Sequence, residues 1–541
     1  MALRPLFLVL AACALAARAF PQSNADAALD LTLFDVDDLR ALAHSGTFPD
    51  GLNACALETT ACNSGTKEIA WKAAMDPHHP FIAFLLAREI DGRFEQISDR
   101  SYVKHGFFAL SSSVCSTCSP TDGTMLGIGC SDTYAVGNNG DNFWLGPPDE
   151  IDPWHGTWNP LCSHFDHGEP IVLPPRDCDG QRSLTTGQAS ALGPIGHRIH
   201  VRDADLNAPS AAFWFQGMYV IGGEGDAKRG DNLGSRSFHP IWTGSSWNLV
   251  ESGALLHGSV LARWSGASVD SNTNGADDGR IYVAVKVTGP DPADGFYHYE
   301  YAVHDRDNAR GVGALRIPVC PGARVRALGF GDIDEDAAND WNASVAGGEI
   351  VFAGASNPLE WNSIFDFWFD SDAAPAADVL ELDQARPGAG ASFVSVASSA
   401  PLVLHNVFLG AGCDFDAPPT LSANGSATLG NAAFALRSTG NTPFQPSFLR
   451  FSLTPGSYVL GGCPHYLGPA PGFAAAGGSA VADGTGLVVF PAPVPNDVTL
   501  EGLAVSLQSA SRDPGNGPVR GNFDLSDGLE VRAGNTISGC P

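Results

Sequence analysis

The chain has 541 residues, with 59 acidic against 30 basic side chains and a formal charge of -29. A field of that sign repels phosphate backbones and anionic lipid, which argues against nucleic acid as a partner and leaves calcium, basic surfaces or neutral glycans. Only 16% of residues are charged, while 44% are apolar and Gly 62 and Pro 38 are abundant, so short strands and turns in two or three domains fit better than long helices.

The first element in chain order is a secretory signal peptide over residues 1–19. Arg4 supplies the positive end, Leu6 to Ala16 an apolar run too short for a membrane span, and Ala17-Arg18-Ala19 a small-x-small cleavage site. The competing reading is a lipobox, Leu10-Ala11-Ala12-Cys13, in which an acylated Cys13 anchors the protein to lipid. Cleavage after Ala19 is favoured because the apolar stretch before Cys13 is short for that route. No later segment reaches the ~18 uninterrupted apolar residues of a transmembrane helix. The expected location is extracellular.

Twelve cysteines are present, and removing Cys13 leaves an odd number. Most should pair in an oxidising compartment, with one thiol left free or bonded between molecules. The disulfide candidates are Cys55, Cys62, Cys115, Cys118, Cys130, Cys162, Cys178, Cys413 and Cys463. Short spacing favours Cys55 with Cys62, Cys162 with Cys178, and Cys413 with Cys463.

The expected fold is mainly β. A mixed α/β, disulfide-rich domain over 20–200 leads into antiparallel β-sandwiches over 201–405 and 411–541. In the first region LTLFDVDDLRALAHSG has the spacing of a short helix, and FIAFLLAREI at 81–90 is either a strand or a buried helix. RFEQISDRSYVKHGFFAL, from Arg93 to Leu110, is the best helix candidate. At 100° per residue it gathers Phe94, Ile97, Ser98, Ser101, His105, Phe108 and Ala109 on one face. A long Gly/Pro/Asn/Asp-rich loop follows over 119–180. Such a loop in a compact protein is usually functional or pinned by disulfides. From 200 onward RIYVAVKV, FYHYEYAV and FDFWFDSD alternate with period 2, the pattern of a sandwich. The last region, with LTPGSYVLGG and GTGLVVFPAPVP, is again short strands between turns.

Several stretches together resemble a group of secreted, multi-module proteins of environmental bacteria that has no established activity. They include YVKHGFFAL with its following cysteine pair, LGIGCSDTY at 126–134, FYHYEYAVHDRDNARGVG at 296–313 and WNSIFDFWFDSDAAP at 361–375. TLGNAAFAL at 428–436 and LSDGLEVRAG at 525–534 resemble a C-terminal β module of such proteins. The resemblance implies secretion and β-sandwich architecture and brings no catalytic residues. The chain departs from the pattern in the histidines of WHGTWNPLCSHFDHGEP, in the longer turn DSNTNGADDG and in a tail that adds Cys540.

No Gly-x-Ser-x-Gly elbow, His-Glu-x-x-His, P-loop or complete dinucleotide fingerprint occurs. Four constellations remain. His79, His105 and Asp132 lie in motifs of the resemblance, with Glu95 on the expected helix beside His105. An inward imidazole needs partners for both nitrogens, and a carboxylate or second imidazole would make it a catalytic or metal site. The alternative is a structural histidine sealed by Cys115, Cys118 and Cys130. Their Cys-x-x-Cys lacks a thioredoxin-like context, and secreted thiolates oxidise rather than hold zinc.

His155, His164 and His167 form a transition-metal candidate without a known spacing. Asp270, Asn272, Asn274 and Asp278 place oxygens at positions 1, 3, 5 and 9 of a calcium-type loop, with Gly275 at position 6 and Ile281 where the bidentate Glu belongs. Asp332, Asp334 and Asp336 are a second acidic run. His298, Glu300 and His304 share a strand face, either a ligand face or the solvent face of a sandwich. Trp144, Trp154 and Trp158 are the candidates for a carbohydrate platform. The function expected is a non-catalytic extracellular or cell-surface binding protein, calcium-stabilised, with a glycan or protein partner. The rivals are a metal-dependent hydrolase or oxidase at His79, His105 and Asp132, and a structural matrix or coat component.

Overall fold

A computed structural model describes residues 25–534, apart from 73–74, 107, 168–177, 274–277, 292–293, 355 and 469–474. The expected signal peptide, Cys13 and Cys540 lie outside the described residues. Strands take up 49% of the described residues and helices 7%. Every pairing between described strands is antiparallel, and the longest described α-helix is the six-residue turn Thr186–Ala191. No described helix is long and apolar enough to cross a membrane.

The first sandwich packs two sheets. One pairs Leu31–Ser45 with Leu52–Asn63, which also carries Ser131–Tyr134 and Ile199–Arg202. The other runs Trp247–His257, Leu233–Trp242, Ala212–Val220, Phe81–Ile90, Val103–His105, Leu145–Gly146, with Arg93–Gln96 also on Phe81–Ile90. Alternation in Phe81–Ile90 sends Ile82, Phe84 and Leu86 into the core between the sheets, where they meet Leu33, Val36, Leu57 and Trp71. Because Ala212–Val220 pairs with Phe81–Ile90, this unit runs across the expected boundary at residue 200 and continues to His257. Local composition does not report such long-range pairing.

Two expected helices are strands. Leu31–Ser45 is a 15-residue strand with register shifts between Leu33 and Asp35, Asp37 and Arg40, and Ala41 and Ala43. Each extra residue stretches the period from two to three, so the buried set Leu31, Leu33, Val36, Leu39 imitates helical spacing. In the second case Arg93–Gln96 and Val103–His105 are short strands, and Gly106 at φ 69° turns the chain directly after His105. His105 does point inward, but Phe108, placed on the same helical face, is 58% exposed.

The second sandwich has five strands in each sheet. One is ordered Ser268–Asn272, Ile281–Thr288, Tyr297–Asp305, Ser363–Ser371, Val325–Gly331; the other Asn342–Ala346, Glu349–Ala353, Val312–Pro318, Ala374–Gln384, Phe393–Val403. Its core holds Tyr299, Tyr301, Phe365, Phe367 and Phe369. The face opposite that core lies against the first unit: Ala284, Ala302 and Ile364 pack on Leu85, Trp214 and Trp264. Lys286 Nζ donates to Glu89 Oε1 at 2.7 Å, and Arg93 lies 3.4 Å over the Trp368 ring while pairing with Glu300 at 3.2 Å. The third unit packs a six-stranded sheet (Asn406–Gly410, Gly528–Ala533, Leu503–Arg512, Pro446–Ser452, Ala475–Val481, with Phe523–Leu525 on Leu503–Arg512) on Thr420–Ala423, Ala435–Thr439 and Val488–Pro491.

Four disulfides join described residues: Cys62–Cys115, Cys118–Cys130, Cys162–Cys178 and Cys413–Cys463. Cys320 is disulfide-bonded as well. The expected Cys55–Cys62 bridge does not form. Both residues lie on one extended strand, about 23 Å apart at 3.3 Å per residue, so no sulfur can reach the other. Cys55 is the buried free thiol.

Candidate functional site

His79 and His105 do meet. Phe81 pairs with His105 across the sheet, and His79 lies two residues before Phe81, so alternation puts both imidazoles on one face. His79 Nε2 and His105 Nδ1 are 3.1 Å apart and share one hydrogen bond. This is the outer face of the seven-stranded sheet, roofed by Ile151, Trp158, Phe165 and Leu184. Trp158 stands 4.9 Å from each imidazole and Phe165 4.9 Å from His105, measured between ring centroids, and both aromatics are buried. The roof is pinned by Cys162–Cys178 and by Trp158 Nε1 donating to Asp76 O at 3.0 Å. Both histidines are fully buried. Burial first, then the neighbouring His79, His164, Arg182 and Lys104, holds the His105 imidazole well below its usual range, so it is neutral at pH 7. Burial likewise lowers Lys104 to about 7, with its ammonium donating to Asn138 O at 2.9 Å, and raises Glu150 to about 7.

Asp132 does not join them. It sits on Ser131–Tyr134 in the opposite sheet, beyond the core layer of Ile82 and Phe84. There Trp71 Nε1 donates to Asp132 Oδ2 at 2.8 Å and Leu110 N to Oδ1 at 3.2 Å. Glu95 is spent on Arg88, 2.8 Å away. The Cys-x-x-Cys is split between two bridges, Cys115 to Cys62 and Cys118 to Cys130.

The other constellations also separate. His155 Nδ1 bonds Asp152 Oδ2 at 2.7 Å, whereas the His164 ring packs against Tyr102 and His197. His167 closes the one-turn helix His164–His167, and its side chain lies outside the described residues. In the expected calcium loop, Asp278 turns inward and pairs with Arg310 at 3.0 Å, and the Asn272 amide donates to Ser395 O at 2.7 Å. Asn274 lies outside the described residues. Asp332, Asp334 and Asp336 each accept the backbone N–H two residues on, a chain of turns at the surface. His298 is partly exposed and pairs with Glu300 and Asp370 at 2.8 and 2.7 Å, whereas Glu300 and His304 are buried where the first unit covers their strand, so the three form no open ligand face. Trp154 and Trp158 are buried in local cores, and Trp144 is half-buried beside Lys104 and Arg182, so the three form no carbohydrate platform.

Two features were not legible in the sequence. Ser259 Oγ lies 2.7 Å from His304 Nδ1, a serine–histidine pair enclosed at the interface of the first two units. The second is an open groove of about 440 Å³ on the third unit, lined by Phe448, Arg450, His465, Leu467, Gln508 and Phe523. Its residues come from four strands spread over about 75 positions, with no motif to mark them. Gln508 Nε2 is held by Pro464 O and Ser526 O at 3.1 and 2.9 Å, which sets its oxygen toward Tyr466 N.

No protein-family model and no curated protein sequence matches the chain. Among solved structures, it is similar to the major pilin subunit BcpA of Bacillus cereus at 9% identity and TM-score 0.18, over 63% of this chain and 87% of that one. It is similar to a Salmonella alpha-2-macroglobulin mutant at 9% identity and TM-score 0.16, over 94% of this chain and 33% of that one. A tetra-tandem repeat from the extending region of a large adhesion protein gives 9% identity and TM-score 0.14, over 93% and 98%. At these scores the likenesses carry no functional argument.

Proposed function

We propose that the protein is a non-catalytic extracellular or cell-surface binding protein. In this reading the first two sandwiches form a scaffold and the third carries the recognition surface. The observation that carries the reading is the contrast between the two kinds of site. The imidazole pair is buried beneath Trp158 and Phe165, where a substrate has no access, whereas the groove on the third unit is open. Its volume falls within the range of about 300–1,000 Å³ typical of ligand sites, and its apolar walls with a few polar groups fit selective binding. The same unit exposes Phe415 at 69% and Phe444 at 72%.

The test is a glycan array and intact bacterial cells, probed with the fluorescently labelled chain and with R450E/F523A and H105Q variants. Retention by wild type and H105Q, with loss in R450E/F523A, supports the reading. Turnover of an ester, glycoside or phenol substrate that H105Q abolishes and R450E/F523A preserves overturns it in favour of the hydrolase or oxidase. Concentration-dependent self-assembly without ligand retention overturns it in favour of a coat or matrix component.

A further inference from the structure

Three aspartates converge at one end of the third unit. The Phe523–Leu525 strand is flanked on both sides. On one side it pairs with Leu503–Arg512, Ser511 opposite Asp524, and Asp513 N continues the ladder by donating to Asn522 O at 2.8 Å. On the other side Cys413 and Leu525 exchange two backbone hydrogen bonds, of 2.8 and 3.0 Å. Alternation then sets Asp513 on the Asp524 face of the first neighbour, and antiparallel register sets Asp414 opposite Asp524 on the second. One ligand oxygen from each of Asp414, Asp513 and Asp524 lies within 4.8 Å of the others.

The outer two carboxylates are held in position. Asp513 Oδ1 accepts from Thr442 Oγ1 at 3.1 Å, and Asp414 Oδ1 accepts the amide of Asp416 at 3.4 Å and that of Phe415. The Cys413–Cys463 bridge fixes the Asp414 segment. Asp524 is different. It is only 2% exposed, and its Oδ1 is buried with no hydrogen-bond donor. The carboxylates of Asp414 and Asp513 are its neighbours in the cluster. A buried acceptor without a donor, facing two further anions, is destabilising unless a proton or a cation lies between them.

We propose that Asp414, Asp513 and Asp524 bind calcium. The donors are all hard oxygens, with no imidazole or thiolate among them, which disfavours zinc and copper. Donors from three separate segments with loose mutual geometry suit calcium, which accepts irregular oxygen shells, better than magnesium, which demands an octahedron. The ion joins the segment after Gly410 to the end of the Leu503–Arg512 strand. It also braces the Phe523–Leu525 strand, whose Phe523 and Leu525 face the groove. The site does not depend on what that groove binds. With three carboxylates, an affinity in the range of about 10⁻⁴ to 10⁻³ M known for extracellular modules is expected.

The full secreted chain is compared with D524N and D513N by equilibrium dialysis with calcium and by scanning calorimetry in chelator, calcium or magnesium. Wild type should gain unfolding temperature with calcium, and each variant should bind one calcium fewer per chain. In chelator D524N should unfold at a higher temperature than wild type, because the repulsion is relieved, and in saturating calcium at a lower one. D513N, at the partly exposed position, should lose the calcium without loss of fold. Unchanged calcium stoichiometry in both variants overturns the site. An equal shift with magnesium at the same concentration overturns the choice of calcium.

Discussion

Replacing His304 by asparagine should invert its effect on stability with pH. His304 is fully buried where the first two sandwiches meet, with Ser259 Oγ 2.7 Å from Nδ1 and the Tyr282 ring 6.1 Å away. Burial, then the positive charge of Arg306 against the weaker opposing effect of Asp307, lowers it from 6.5 to about 3. Folding therefore prefers the neutral imidazole. That contribution is fully present above pH 6.5 and is lost as pH falls toward 3. At about 1.4 kcal/mol for each pH unit, protonation withdraws about 5 kcal/mol across the window and about 3 kcal/mol by pH 4. Asparagine keeps a polar group near Nδ1 but loses ring contacts worth about 2 kcal/mol at any pH. His304→Asn should thus be less stable than wild type at pH 7.5, equal to it near about pH 5 and more stable at pH 4. Glu150 and Glu224, raised to about 7 chiefly by burial, titrate with the opposite sign but are common to both proteins and cancel in the difference. Urea unfolding followed by tryptophan emission reads the correct units, because all 11 tryptophans lie between Trp71 and Trp368. A difference between the two proteins that stays constant from pH 7.5 to 4 would refute the reasoning.

The Cys55 thiol, pushed up to about 12 by burial, should resist alkylation at pH 8 in the native protein and react once the chain unfolds in guanidinium; mass spectrometry of its peptide gives the readout, and native labelling would place it at the surface. Arg93→Ala should destabilise the same two sandwiches by about 1–2 kcal/mol, because it removes the stack on Trp368 and one of two partners of buried Glu300, which keeps His298 at 2.8 Å. The urea midpoint of the tryptophan transition measures that loss, and a change below about 0.5 kcal/mol would mean that the pair is idle.

The sequence determines the mainly β, antiparallel architecture of this protein. Period-2 runs such as RIYVAVKV and FYHYEYAV form the strands Ile281–Thr288 and Tyr297–Asp305, since a half-buried pleat repeats every two residues whatever it packs on. Local chemistry also sufficed for the bridges Cys162–Cys178 and Cys413–Cys463. It failed where the signal was not local. Bulges made Leu31–Ser45 imitate a helix, and Cys62 found Cys115 rather than Cys55. Which polar residues meet was decided by tertiary structure alone. His79 and His105 converge because Phe81 pairs with His105, while their own sheet and the core layer of Ile82 and Phe84 separate them from Asp132. Asp414 meets Asp513 and Asp524, about a hundred residues further along the chain, because three segments pair side by side. Side-chain alternation is a property of each strand and can be read along the chain. Register and neighbour order are properties of pairs of strands, so no single stretch records them.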